Sequence, residues 1–275
     1  MGALVTGAGG GLGLAIAKRL AVRGLKVHLT DLQGEAAAAA AEEIGGDAWG
    51  SALDVRDPQA CRQAAEETVE RTGGLDVWVN NAGILIPGVI YEQELEAHRA
   101  MLEVNAIGTF NGTIAAIEQM RKGGSGHLIN VISLAGLVAA PGVASYAASK
   151  HAAIAFTLGT LTDLRRNGIK GINVSAVCPD GVWTPMIMDK LDDPNDAVSF
   201  SGKMLMPEEV AAKVERLLDH PKAVLTIPRW RGWFVRWADR HADLAARLAP
   251  LLQRDAEARQ RRFKRRVEAG KWPPT

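Results

Sequence analysis

Strand-like and helix-like segments alternate along most of this 275-residue chain, and that alternation constrains its fold more than any other feature. Short apolar runs at 3–6, 26–30, 76–79 and 127–132 are typical of buried strands, and segments with apolar residues at helical spacing separate them. Seven strands with mostly helical crossovers predict an α/β fold, a doubly wound parallel sheet with helices on both faces. Right-handed crossovers then place a ligand site at the carboxyl ends of the strands.

Several longer segments complete this prediction. We expect a strand at 48–55, one long helix at 94–122 and another at 144–167, each bounded by glycine, proline or a capping residue. The stretch 182–206 contains two prolines and a glycine and shows no clear periodicity. It therefore predicts a mobile loop with short helices, placed where it can select a substrate.

The charge distribution separates a main domain from an extension. Residues 1–228 hold 19 Lys/Arg against 26 Asp/Glu, whereas residues 229–275 hold 13 against 5. We therefore expect one domain over 1–228 and a basic, Trp-rich helical extension over 229–275. The net charge of the whole chain is only +1, which does not indicate a nucleic-acid partner.

The cysteines and the apolar runs indicate a cellular setting. Cys61 and Cys178 match no disulfide framework and no metal-ligand spacing. No apolar run reaches the roughly 20 residues of a membrane helix, and no basic region precedes an apolar segment near residue 1. We expect a cytoplasmic protein without a bound metal.

A glycine-rich turn at 6–13 lies between the first predicted strand and the first predicted helix. Gly7 permits a tight turn, while Gly11 and Gly13 let backbone amides approach a phosphate and let the helix pack on the strand. The helix start adds free N–H groups and the positive end of a dipole. Gly7, Gly11, Leu12 and Gly13 are therefore predicted contacts of a dinucleotide pyrophosphate, which makes the sheet Rossmann-type.

Asp31 ends the second predicted strand, 18 residues after Gly13. A carboxylate at this point can accept hydrogen bonds from the adenosine ribose hydroxyls. It would also repel the additional phosphate of NADP, and the next residues, Leu32 and Gln33, offer no cation to receive one. The sequence therefore predicts NAD rather than NADP as the cofactor.

Six motifs in order resemble those of the short-chain dehydrogenase/reductase family, over residues 3–228. They are the glycine turn, the pair Asp54-Val55, the run Asn80-Asn81-Ala82-Gly83, Asn105, Ser133, and Tyr146-Ala147-Ala148-Ser149-Lys150. The resemblance implies that Asp54 and Val55 contact the adenine, and that Asn81, Ala82 and Gly83 line the cofactor site. It also implies that Asn105 holds a water that relays protons from Lys150.

The segment after the sixth strand also resembles the family, with one departure. Pro179, Val182 and Thr184 fall where the family contacts the nicotinamide carboxamide, so the resemblance implies the same role here. Asp180 stands where the family usually has glycine, which puts the local backbone path in doubt. Asp180 is also a candidate contact to the substrate.

The catalytic residues are interpretable without the family. Oxidation of an alcohol needs a base for the hydroxyl proton, and Tyr146 can serve if its phenol, with an ordinary pKa of about 10, is made more acidic. Lys150 lies one helical turn away, so its ammonium group and an oxidised nicotinamide would both favour the phenolate. Ser133 can hydrogen-bond the substrate oxygen. Tyr146 and Lys150 are thus predicted to serve both catalysis and cofactor binding.

Mostly apolar residues are expected to line the substrate pocket. Beside Ser133 and Tyr146, the predicted lining is Ile84, Leu85, Leu134, Ala135, Val143, Val182, Met186 and Met188. This lining predicts a bulky hydrophobic alcohol, such as a steroid or terpenoid. The chain alone does not fix the direction of the reaction.

The extension 229–275 has three competing interpretations. It can be an amphipathic helical segment that packs on its own or a neighbouring subunit, or a lid whose aromatic residues shape the substrate pocket. It can also attach to anionic lipid through its basic and aromatic residues. From the family resemblance we expect a homo-oligomer, a dimer or a tetramer.

Three functions remain open. The first is NAD-dependent interconversion of a secondary alcohol and a ketone. The second is 3-oxoacyl-thioester reduction on the same scaffold, which NADP and a basic docking patch would favour. The third is a non-catalytic nucleotide-binding scaffold, since a fold does not fix a function; the intact set of catalytic-type residues argues against it.

Overall fold

Seven parallel strands form one sheet in the computed structural model, which describes residues 1–272. The strands are β1 (Gly2–Thr6), β2 (Lys26–Asp31), β3 (Trp49–Ala52), β4 (Val77–Asn80), β5 (Gly126–Val131), β6 (Ile172–Pro179) and β7 (Val224–Ile227). Their order is β3-β2-β1-β4-β5-β6-β7, so the direction of winding reverses between β1 and β4. The predicted doubly wound Rossmann-type sheet is confirmed.

Helices cover both faces of the sheet. They are α1 (Gly11–Val22), α2 (Gly34–Ile44), α3 (Pro58–Thr72), α4 (Leu95–Leu102), α5 (Gly108–Gly123), α6 (Ala144–Arg166), α7 (Pro185–Met188), α8 (Pro207–Leu217), α9 (Arg229–Arg240) and α10 (Ala242–Glu268). One apolar core joins α1, α2 and α8 to the sheet, and a second joins α3, α5 and α6 to the other face. Because both faces are covered, β1 and β4 are buried along their whole length.

Two elements differ from their predictions. The single helix expected at 94–122 is α4 and α5 joined by a π-helical turn, Glu103–Ile107. The strand expected at 48–55 ends at Ala52. The chain turns there because the Asp54 carboxylate accepts hydrogen bonds from the Arg56 backbone and side chain. Asp57 then caps α3.

The extension is helical, as predicted, and it packs on the main fold. The inner side of α9 buries Val235 against a cluster that includes Ile132 and Leu134, next to the strand ends. Helix α10 runs over the 3-10 helix Pro194–Phe200 in the predicted substrate loop. The last part of the predicted extension, 273–275, lies outside the described residues. Among residues 1–272, no helix combines the length and apolar character needed to cross a bilayer.

Candidate active site

A cavity of about 390 Å³ lies where five of the parallel strands end. Its lining begins with Gly7, after β1, and Asp31, at the end of β2. It continues through the residues that follow β4, β5 and β6, and it is closed by the inner side of α9. The cavity therefore occupies the predicted carboxyl edge of the sheet.

The glycine turn forms one end of this cavity. Gly7 and Gly11 have φ angles of 61° and 55°, a left-handed conformation that L side chains rarely adopt. A Cβ on Gly13 would lie 2.2 Å from the Gly7 carbonyl oxygen, so only glycine lets α1 start this close to β1. The Asn81 amide donates to the Thr6 and Gly7 carbonyls at 3.0 and 2.9 Å and holds the turn. The first backbone amides of a helix have no helical acceptor, so the start of α1 fits a dinucleotide pyrophosphate.

Asp31 lies in the same end of the cavity. Its carboxylate accepts hydrogen bonds from the Gly9 and Gln33 backbone amides, both at 3.1 Å. These bonds orient the carboxylate beside the glycine turn and stabilise its charge. The geometry suits the predicted role of accepting ribose hydroxyls.

Asp54 and Val55 lie beside the cavity and do not line it. The Arg56 guanidinium lowers the pKa of the Asp54 carboxyl, with which it forms a salt bridge of 2.6 Å. Val55 is buried against Gly108, where an added Cβ would come within 2.5 Å of the Val55 side chain. Their predicted contact with adenine stays a prediction. The predicted cofactor residues Ala82, Gly83, Pro179, Val182 and Thr184 do line the cavity.

Ser133, Tyr146 and Lys150 meet at the middle of the cavity wall. Ser133 follows β5, and its hydroxyl accepts a hydrogen bond from the Ala135 amide at 3.1 Å. Tyr146 and Lys150 are one turn apart on α6, and the Lys150 Nζ lies 5.6 Å from the centre of the Tyr146 ring. The Lys150 Nζ also donates to the Val131 carbonyl at 3.3 Å. The sheet end and the helix thus bring the three predicted groups together.

Burial changes the acidity of both groups on α6. It raises the pKa of Tyr146 to about 12, although a hydrogen bond with Ser133 acts in the opposite direction. Burial also lowers the pKa of Lys150 to about 8, because an ammonium group loses solvation inside the protein. Desolvation of the phenolate therefore outweighs the Ser133 hydrogen bond. The more acidic phenol expected beside Lys150 and an oxidised nicotinamide stays a prediction.

Asn105 is held by the π-helical turn beside this group. Its Oδ1 accepts from the Ile84 amide at 2.8 Å, and its Nδ2 donates to the Ile84 carbonyl at 2.9 Å and to Ser149 at 3.0 Å. The side chain is fully buried and its two N–H groups are both occupied. The π turn is a feature that helical periodicity does not reveal, and such turns often mark functional positions. The predicted water relay stays a prediction.

Sequence reasoning missed a buried ion pair at the other end of the cavity. The Arg231 Nε donates to Asp180 at 3.0 Å, and the Arg231 Nη2 donates to Ser201 at 2.8 Å. Both side chains are largely buried, and burial raises the pKa of Asp180 even though Arg231 acts to lower it. The unusual Asp180 is therefore explained by a partner 51 residues away in the extension. Only its departure from the family pattern marked it in the sequence.

Most of the predicted substrate residues surround this end. Leu85, Leu134, Ala135, Val143, Val182 and Met186 line the cavity. Ile84 and Met188 do not, and the prediction is wrong for both. The Ile84 backbone is engaged by Asn105, and the Met188 side chain is 44% exposed at the end of α7.

Aromatic residues of α10 and the chain after it pack behind the substrate loop. Phe263 lies 5.3 Å from Trp183 and 5.5 Å from Phe200, measured between ring centres, and Trp272 lies 6.3 Å from Trp183. Gln260 donates to the Lys190 and Asp193 carbonyls at 3.3 and 2.8 Å. This part of the extension thus packs on its own subunit, which fits the first of the three interpretations. Phe263 and Trp272 do not line the cavity, so the lid interpretation stays a prediction.

Within the described residues, neither the Cys178 thiol nor a cluster of metal-ligating side chains provides a second reactive centre. Burial raises the pKa of the Cys178 thiol to about 12, so this thiol serves as a packing group in β6. Across residues 1–272, no group of three His, Cys, Asp or Glu side chains is placed to hold a metal ion.

Known proteins with similar sequences and structures identify the family. The short chain dehydrogenase family matches residues 2–195. A cyclopentanol dehydrogenase of Comamonas sp. is 37% identical over 219 residues, 77% of this chain and 86% of that protein. A 3-oxoacyl-[acyl-carrier-protein] reductase of Synechocystis sp. is 35% identical over 225 residues, 80% of this chain and 90% of that one.

A solved structure agrees with these sequences. It is the crystal structure of a variant of actinorhodin polyketide ketoreductase with NADPH, which is 32% identical, with a TM-score of 0.76 over 84% of this chain and 96% of its own. These relatives therefore agree with the family that the sheet, the glycine turn and the Tyr146–Lys150 pair indicate. The chain belongs to the short-chain dehydrogenase/reductase family of oxidoreductases.

Proposed function

We propose that the protein interconverts a bulky apolar secondary alcohol and its ketone, with NAD as the cofactor. The observation that carries this proposal is the convergence of Ser133, Tyr146 and Lys150 on one wall of a cavity whose end is the glycine turn. A single cavity thus offers a phosphate cradle, a proton-transfer group and an apolar pocket. The apolar lining near Leu134, Val143 and Met186 favours a hydrophobic substrate.

The chain's own residues account for the proton chemistry. A bound nicotinamide supplies the hydride acceptor or donor and, when oxidised, a positive charge over the cavity. The Ser133 hydroxyl holds the substrate oxygen; Tyr146 removes the proton of that oxygen as a phenolate and returns it as a phenol. Lys150 stabilises the phenolate and would donate to the ribose of a bound cofactor, while Asn105 would hold the relay water. Because Tyr146 starts from a pKa of about 12, it needs both positive charges to act as a base near neutral pH.

Asp31 supports NAD as the preferred cofactor. Its carboxylate is bound by the Gly9 and Gln33 amides and lies in the part of the cavity that would hold the adenosine ribose. A 2′-phosphate there would face a fixed negative charge. We also propose that Asp54 and Val55 border the adenine, that residues 1–228 form the catalytic domain, and that the enzyme is a homo-oligomer.

A second candidate is reduction of a 3-oxoacyl thioester. It is favoured by the similarity to a 3-oxoacyl-[acyl-carrier-protein] reductase. Asp31 argues against it, because a reductase of this kind would be better served by NADPH.

A substrate panel tests the proposal. Purified protein is incubated with secondary alcohols from cyclopentanol to decalinols and hydroxysteroids, with NAD and NADP in parallel, while NADH or NADPH absorbance is followed. The matching ketones and an acetoacetyl thioester are incubated with NADH and NADPH in the same way. We expect reduction of NAD with the larger alcohols. Turnover confined to acetoacetyl thioesters with NADPH would support the second candidate, and no turnover of any alcohol or ketone would reject the proposal.

A further inference from the structure

Helix α9 exposes an aromatic face that the enzyme mechanism does not use. Trp230, Trp233 and Trp237 are 62%, 81% and 47% exposed, and Phe234 is 44% exposed. Their spacing of three, four and seven residues places them on one side of the helix. Large exposed apolar patches are uncommon on monomers and mark interaction surfaces.

Contacts on the opposite side of α9 keep the aromatic face directed toward solvent. Val235 is buried in a core cluster, and a Cβ on Gly232 would come within 2.3 Å of Thr226 in β7. Arg231 is tied to Asp180, so the helix cannot roll to bury its tryptophans without breaking a buried ion pair. The fold itself therefore keeps the aromatic face exposed.

Arginines border the aromatic face along one edge. Arg229, Arg236 and Arg240 are spaced by seven and four residues, so they follow one line on the helix, next to Trp233. All three are exposed, and none forms a salt bridge within residues 1–272. Asp239 is nine residues from Trp230, which places it on the opposite side of the helix.

The first half of α10 also exposes apolar residues that are bordered by arginines. Leu244, Leu248, Leu251 and Leu252 are all at least 40% exposed and share one helix face. The exposed Arg247 and Arg254 lie along an edge of that face, together with Asp243. The His241 ring, between the two helices, lies 4.9 Å from Trp237.

We propose that α9 and the first half of α10 attach the enzyme to an anionic lipid surface. Tryptophan rings suit the boundary between water and hydrocarbon, and arginines beside them can reach lipid phosphates. The alternative is that a second copy of the chain covers this apolar face. The excess of arginines favours lipid over a two-fold contact of this face with itself, because such a contact would bring each row of arginines against another positively charged helix pair.

The position of this surface has a consequence for the substrate. Arg231 and Val235 line the cavity from the inner side of the same helix whose outer side carries the tryptophans. Attachment would hold the pocket within about one helix diameter, roughly 10 Å, of the lipid. A hydrophobic alcohol dissolved in the bilayer could then enter without crossing much water.

Vesicle sedimentation of the full-length protein tests the proposal without any substrate. The probes are vesicles of phosphatidylcholine alone and of phosphatidylcholine with about 30% phosphatidylglycerol, a content that gives the surface a negative potential. We expect binding to the anionic vesicles that weakens as salt is added, with little binding to the neutral ones. Changing Arg229, Arg236 and Arg240 to Gln should weaken that binding about 100-fold, at about 1 kcal/mol for each charge near the surface.

Matched variants separate the surface from overall charge and hydrophobicity. The triple variant Trp230→Ser, Trp233→Ser, Trp237→Ser should weaken binding at least ~10-fold, since indole rings provide most of the apolar contact. The control variant Arg121→Gln, Lys122→Gln, Lys222→Gln removes the same charge elsewhere and should bind as the wild type does. All six changed positions in the two α9 variants are exposed, and circular dichroism checks that the fold is retained.

Three results would overturn the proposal. They are no sedimentation of the wild type with anionic vesicles at low salt, equal binding by the tryptophan variant, and equal weakening by the control variant. Light scattering after size exclusion identifies the alternative: a smaller assembly in the tryptophan variant than in the wild type would show that a second copy covers this face. None of these readouts depends on turnover, so they stand or fall separately from the proposed reaction.

Discussion

The two ends of the active-site cavity are built in different ways. The cofactor end consists mainly of backbone at the ends of β1, β2 and β4, shaped by turns such as the one around Gly7, which Asn81 holds from the end of β4. The substrate end consists of side chains from the loop 182–206 and the extension, joined by the Asp180–Arg231 pair. Turns that rest on a rigid sheet recur as short motifs, whereas side-chain packing between distant segments does not. This difference explains why sequence motifs predict the cofactor end, whereas the substrate end depends on packing that is specific to this chain.

Removing the phenol between the two ends should have the largest effect. Tyr146→Phe deletes the proton-transfer group and leaves the cavity shape unchanged, so we expect kcat to fall by about 10³-fold. The dissociation constant for NADH, followed by fluorescence, should change little. Tyr91→Phe is the matched control, because Tyr91 is 84% exposed and does not line the cavity. A Tyr146→Phe enzyme with wild-type turnover would exclude the proposed mechanism.

Breaking the ion pair should damage the substrate end alone. Arg231→Met leaves Asp180 buried without its partner, and we expect the free energy of unfolding to fall by about 3 kcal/mol in urea denaturation. The KM for the alcohol should rise, while NADH binding stays close to that of the wild type. Adding Asp180→Asn should restore much of the lost stability, because the buried charge is then removed.

A surface pair supplies the control for that experiment. Arg56→Met breaks the pair with Asp54, whose side chain is 35% exposed, and should change stability by less than about 1 kcal/mol. If Arg231→Met weakened NADH binding as strongly as alcohol binding, the two ends would not be independent.

Removing the carboxylate at the cofactor end should change cofactor choice. Asp31→Ala loses charged hydrogen bonds to the ribose, so kcat/KM with NAD should fall about 10- to 100-fold. The kcat/KM with NADP should rise, because the variant no longer has the Asp31 carboxylate that repels the 2′-phosphate. Asp47→Ala, at an exposed carboxylate on the surface, is the control. An unchanged ratio of NAD to NADP efficiency would show that Asp31 does not select the cofactor.

The sheet beneath the cavity buries a histidine in its uncharged form, whereas the substrate end buries the ion pair of Asp180 and Arg231. Burial lowers the pKa of His127, which is bonded to Ser175, to about 4. Between its ordinary pKa of 6.5 and about 4, the unfolded chain binds more protons than the folded one, so stability falls as the pH falls. We expect His127 to account for about 2 kcal/mol of lost stability at about pH 5, at roughly 1.36 kcal/mol per unit.

Urea denaturation at pH 7 and pH 5 measures this smallest effect. His127→Gln should show a shallower loss of stability between the two pH values than the wild type, whereas His220→Gln, at an exposed position, should not. Equal losses in all three proteins would mean that His127 is not held neutral by the fold.

The parallel sheet, the glycine turn with Asp31 and the Tyr146–Lys150 pair could all be predicted from the residues alone. Each depends on contacts between residues close in the chain, on strand periodicity, or on the rule that parallel strands end at one edge. Tertiary structure decided the acidity of Tyr146, because burial rather than the distance to Lys150 sets its pKa. It also decided the partner of Asp180 and the packing of Phe263 behind the substrate loop. The last two features join residues 51 or more positions apart, and no local pattern encodes which distant side chain will fill a given space.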